Sequence, residues 1–200
     1  MKKLSGLLNE KEIRYVFMEC DSKTLYGTDY SILVHPDDRK EFWGEMIAKE
    51  YSLRQHQEGK ENGFRYLYSM FPAECWVKDN ITYTVFYQLG CYGLQEMSYI
   101  PLDKLVNKSI WDNRYLEDGI YHMDRQEKLI YAMVQGVFHY NKFPEHLRKI
   151  VEENKDCFAK EDFQQKLRLV FFKFSSKIQS MLEMKKYDEI FHNYISFSEY

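Results

Sequence analysis

The sequence predicts an α+β fold: a small mixed β-sheet flanked by helices, followed by a helical C-terminal half. Two observations carry this. β-branched and aromatic runs bounded by turn residues fill the first hundred positions, and apolar residues at helical spacing fill the second hundred. The composition suits such a chain. Apolar residues make up 44% and aromatic residues 17%, enough for a core built from large side chains. The predicted division is an α/β core over 1–100 and a helical region over 101–200 packed on it.

The elements follow in order. Leu4, Leu7 and Leu8 suggest a short helix within Met1–Lys11. Ile13–Glu19 is an apolar, β-prone run that reads as a buried strand, and Cys20–Gly27 carries the turn residues that end it. Tyr30–His35 is a second strand. Pro36 fits the first turn of a helix running to about Lys49, and Asp37 and Asp38 favour its positive N-terminus. Short strands are expected at Tyr51–His56, Phe64–Met70 and Cys75–Lys78. Ile81–Leu89 alternates two unequal faces, with Ile81, Tyr83, Val85, Tyr87 and Leu89 on one and Thr82, Thr84, Phe86 and Gln88 on the other.

In the second half, Asp124–His139 reads as a helix capped by Asp124, with Glu127 three residues on in the position of a capping box. Pro144–Asn154 is a short amphipathic helix. Lys160–Met184 is read as one long helix whose apolar stripe includes Phe163, Leu167, Phe171 and Phe174. Lys186–Ser196 is the last helical segment. The stripe needs a partner surface, in this chain, in a second copy or in another protein.

Several function classes find no support. The net charge of -3 gives no general nucleic-acid signal. The chain has no stretch of about 18 apolar residues, hence no membrane span, and Met1–Glu10 lacks the apolar region of a signal peptide. Four scattered cysteines, Cys20, Cys75, Cys91 and Cys157, form no CxxC pair and read as reduced thiols of a cytoplasmic protein. The histidines form no HExxH, and Ser31, Ser69 and Ser98 lie in no GxSxG elbow. His35 reads as a satisfied loop histidine.

The stretch Gly27-Thr28-Asp29-Tyr30-Ser31-Ile32-Leu33-Val34-His35-Pro36, preceded by the strand-like 13–17 and followed by a charged helix, resembles the nucleotidyltransferase fold. More specifically it resembles the nucleotidyltransferase-like proteins of bacterial surface-polysaccharide clusters, over roughly residues 10–150; the stretch 100–114 adds to the likeness. The resemblance implies a strand with two aspartates at i and i+2 that share Mg²⁺ ions, a third carboxylate on a neighbouring strand, and a glycine turn that lets backbone amides approach the phosphates. Asp29 stands at the first position, as catalytic residue and metal ligand. Ser31 replaces the second aspartate, Ile81–Leu89 carries no acid, and no glycine stands near Glu19–Cys20. Gly27, Thr28 and Ser31 become the nucleotide-binding candidates. The expectation is a nucleotidyltransferase-like protein with a degenerate, non-catalytic site. It would bind a nucleotide, a nucleotide-sugar or a protein partner, or self-associate through the C-terminal helix. The alternatives are an active enzyme that rebuilds the site from Asp29 with Asp21, Asp79 or Glu74, and a scaffold protein.

Overall fold

A computed structural model describes residues 2–18, 29–54, 73–92, 99–140 and 142–190. Among these residues the fold is α+β, in three layers with a mixed sheet in the middle. Strands β1 (Tyr15–Phe17), β2 (Asp29–Val34), β3 (Ser52–Leu53), β4 (Ala73–Lys78), β5 (Ile81–Phe86), β8 (Tyr115–Glu117) and β9 (Ile120–His122) form it in the order β3-β4-β5-β2-β1-β9-β8. β2 pairs antiparallel with β1 and parallel with β5, and β9 lies parallel to β1. A separate two-stranded ribbon joins β6 (Gly90–Tyr92) to β7 (Tyr99–Pro101).

Alternation divides the sheet's side chains between two cores. On one face Tyr15, Phe17, Ile32, Val34, Trp76, Tyr83 and Val85 pack against Leu4 and Leu8 of α1 (Lys2–Glu10) and Phe42 and Met46 of α2 (Arg39–Ala48). On the other face Val16, Met18, Leu33 and Phe86 meet the helices of the second half: α3 (Lys104–Asn113), α4 (Arg125–Val134), α5 (Glu145–Asn154), α6 (Glu161–Phe171) and α7 (Ser175–Glu183). α4 is central, buried from Gln126 to Val134 at every position but Lys128.

One expectation is corrected and two gain finer detail. The predicted Lys160–Met184 helix breaks at a 3₁₀ turn, Phe172–Phe174, into α6 and α7. Its stripe lies inside the chain's own core, where Phe163, Leu167, Val170, Phe171, Ile178 and Met181 are all buried, so it presents no continuous face to a partner. The second half is also not wholly helical: β8 and β9 form a hairpin around Asp118-Gly119, both with positive φ as a tight two-residue turn requires, and they extend the main sheet. The predicted helix at 124–139 ends in a π-helical turn, Gln135–His139. The predicted strand Phe64–Met70 lies outside the described residues, as does most of the predicted final helix; 187–190 is helical.

Candidate functional site

The face of β2 that meets the helical half changes character along its length. Leu33, next to Val16 and Phe86, belongs to the apolar core. Two and four residues earlier on the same face stand Ser31 and Asp29. The parallel register sets Thr84 beside Ser31 and Thr82 beside Asp29. One strand further, Cys75 pairs with Thr84 and Val77 with Thr82. The result is two polar cross-strand rows, Ser31–Thr84–Cys75 and Asp29–Thr82–Val77. Both lie beyond the end of the apolar core.

Burial grades along these rows. Ser31 is 5% exposed, Thr82, Thr84, Cys75 and Val77 are half-buried, and Asp29 at the strand's start is exposed. The Ser31 carbonyl accepts from the Met18 amide at 2.9 Å, which holds β1 against the row. The Arg54 amide donates to the Cys75 carbonyl at 2.7 Å, so Arg54 stands at the outer end of the Ser31–Thr84–Cys75 row. Burial pushes the Cys75 thiol above its ordinary value. The Arg54 charge draws it down, and the Asp29 carboxylate pushes it up again. Asp29 and Arg54 thus both act on one thiol. Gly27 and Thr28, the other predicted binding residues, lie outside the described residues, as does Asp21.

The structure separates Asp29 from one of its proposed substitute partners. Glu74 points to the opposite face of the sheet, against α2. Its Oε2 accepts from Tyr87 OH at 2.6 Å, Trp43 Nε1 at 2.7 Å and Trp76 Nε1 at 3.1 Å, and its Oε1 from Arg39 Nη2 at 2.6 Å. The Arg39 guanidinium lies 4.7 Å from the Tyr87 ring centroid. This carboxylate is fully engaged in fixing α2 to β4 and β5, and no rebuilt site draws on it. Asp79 occupies the β4–β5 turn with φ 52°.

Two Mg²⁺ ions demand several hard carboxylate ligands around a shared centre. The rows offer the Asp29 carboxylate with three neutral hydroxyls and a thiol, which does not fit such a pair. Among the described residues, no group of three or more His, Cys, Asp or Glu is placed to hold a metal ion.

The other residues singled out in the sequence are structural. The Arg14 guanidinium clasps Asp38, with Nη2 to Oδ1 at 2.7 Å and Nε to Oδ2 at 2.8 Å, and holds that carboxyl below the usual range. His35 Nδ1 accepts from the Asp37 amide at 3.2 Å, and the ring meets Trp111 edge-on at 4.9 Å. Burial, then the Arg14 charge, lowers the His35 pKa. Tyr83 is stacked on Tyr30 at 5.4 Å within the core facing α2.

The feature that sequence reasoning missed is the Cys75 position in the row with Ser31 and Thr84. Nothing in CWVK indicates which strand it will adjoin.

No protein-family model matches the chain, and no curated protein matches it in sequence. Among solved structures, the chain is similar to the solution structure of the antibiotic-resistance factor ANT(2'')-Ia. That likeness has a TM-score of 0.43 and 7% identity, and covers 99% of this chain and 92% of that chain.

Proposed function

We propose that this chain is a nucleotidyltransferase-like protein that binds a nucleotide or nucleotide-sugar at the polar rows of its sheet and does not transfer it. The observation that carries the reading is the β2–β5 register, which sets Thr82 and Thr84 beside Asp29 and Ser31 where carboxylates would be needed. Hydroxyls in these positions can hydrogen-bond a sugar or a phosphate, but they do not neutralise a triphosphate as paired carboxylate-bound Mg²⁺ ions do. Asp29, at the open end of the rows, suits a ribose or hexose hydroxyl as an acceptor. The setting implied by the sequence resemblance is surface-polysaccharide assembly or its control. The free thiols Cys75, Cys91 and Cys157 are consistent with the reducing interior of a cell.

The test is a calorimetric titration with ATP, CTP, GTP and UTP, with and without Mg²⁺ or Mn²⁺, repeated on Asp29→Ala. The expected result is binding of at least one nucleotide that the metal does not strengthen, and no pyrophosphate release. Metal-dependent binding or turnover that Asp29→Ala abolishes would replace this reading with an active enzyme. Failure to bind any nucleotide would overturn it.

A further inference from the structure

The corner between α6 and α7 combines an unusual backbone conformation with a large exposed apolar side chain. Phe172 adopts φ 48° and ψ -129°, a backbone conformation that glycine occupies readily and a phenylalanine does not. Its ring gains nothing from the core in return, being 73% exposed. A strained backbone that holds a large apolar side chain out in water is costly to the free protein twice over. Sites of this kind are where function sets the residue.

The surroundings specify the partner. From Lys166 to Leu182 the chain carries Lys166, Arg168, Lys173 and Lys177 and no Asp or Glu, although the whole chain has a net charge of -3. Lys166 turns inward to Glu127, while Arg168, Lys173 and Lys177 are exposed. Lys173 leans along the half-buried Phe174, with Nζ 5.4 Å from its ring centroid. An exposed aromatic ring with exposed cations on both sides of it in the chain suits an anionic surface that has an apolar layer beneath it. The Phe172 ring stands out in solvent, whereas single-stranded nucleic acid is held in a charged groove that follows its backbone. A bilayer accepts such a side chain, with the ring at the acyl boundary and the cations among the headgroups. No described helix is long and apolar enough to cross a membrane, so the contact would be peripheral.

We propose that the α6–α7 corner is a docking tip for anionic phospholipid membranes, with Phe172 inserting and Arg168, Lys173 and Lys177 meeting the headgroups. The test is co-sedimentation of the full chain with vesicles of phosphatidylcholine alone or with roughly 30 mole per cent phosphatidylglycerol. Binding is expected to the anionic vesicles alone and to weaken with salt. Phe172→Gly should lower the partition coefficient about tenfold, while Tm stays the same or rises because the strain is relieved. Arg168→Gln and Lys173→Gln should each lower it about fivefold. Absence of binding to the anionic vesicles would overturn the proposal. So would binding that Phe172→Gly leaves unchanged, or equal binding to heparin, which has no apolar layer.

Discussion

Lys166→Met tests what holds α6 to the central helix. Lys166 Nζ lies 2.6 Å from Glu127 Oε1; the two side chains are 13% and 0% exposed. Among the described residues Glu127 has one further donor, Asn113 Nδ2 at 3.3 Å, and its buried Oε2 has no partner. Removing the ammonium group while keeping most of the stem leaves a buried carboxylate with a single long hydrogen bond. Breaking a buried pair in this way costs about 3–5 kcal/mol, because one charge is stranded. For a chain of this size that lowers Tm by roughly 6–20 °C. Urea titration of the wild type, Lys166→Met, Glu127→Gln and the double variant gives the coupling directly. The double variant should recover at least half of the loss, since a neutral amide replaces the stranded charge. Replacing the pair by Lys166→Met with Glu127→Leu should come close to wild-type stability, as apolar replacements of buried pairs do. A single-variant loss below about 1 kcal/mol would refute the reasoning, because the carboxylate would then have to be solvated or otherwise paired.

Two further outcomes are expected. Burial, and then the Arg14 charge, lowers the His35 pKa. Its folded pKa lies below the unfolded value, so protons bind the unfolded chain first. Its contribution to stability should therefore decline as pH falls from about 6.5 through the folded value. The Tm difference between pH 8 and pH 5 should shrink in His35→Gln, and an unchanged difference would remove His35 as its source. A β-carbon on Gly136 would stand 2.6 Å from the Phe143 ring, so Gly136→Ala should cost about 1–3 kcal/mol by urea denaturation. Phe143→Leu should recover part of that loss in the Gly136→Ala background, and no recovery would place the strain elsewhere.

The parts of the fold that local chemistry determines were legible in the sequence. The alternation in Ile81–Leu89 placed Tyr83 and Val85 on one face and Thr82 and Thr84 on the other, as the two cores require. Asp124 caps its helix through the Gln126 amide at 3.2 Å. Glu127 was legible as a capping-box residue, but it turns away to Lys166, some forty positions later, and no local pattern announces that choice. The Asp118-Gly119 turn signal was present in the sequence, yet the strands beside it are three residues each and lie within a helix-rich half. The break at Phe172 has neither glycine nor proline to mark it. In the candidate site, the lack of an acid at position 31 and along Ile81–Phe86 was legible because it depends on residue types. The rows that gather Asp29, Ser31, Thr84 and Cys75 were not, because cross-strand neighbours are set by tertiary register.

The parallel partnership of β1 with β9 has a consequence for assembly. Phe17 pairs with His122, so the middle of the sheet is closed by residues more than a hundred positions apart. During synthesis β1 has only β2 for a neighbour until the hairpin at Asp118-Gly119 has emerged, and its other edge is bare for that time. Closing so long a loop before any contact rewards it makes this pairing a late and slow event. The apolar β1, with Val16 and Phe17, is therefore the segment that most needs shielding before the chain is complete.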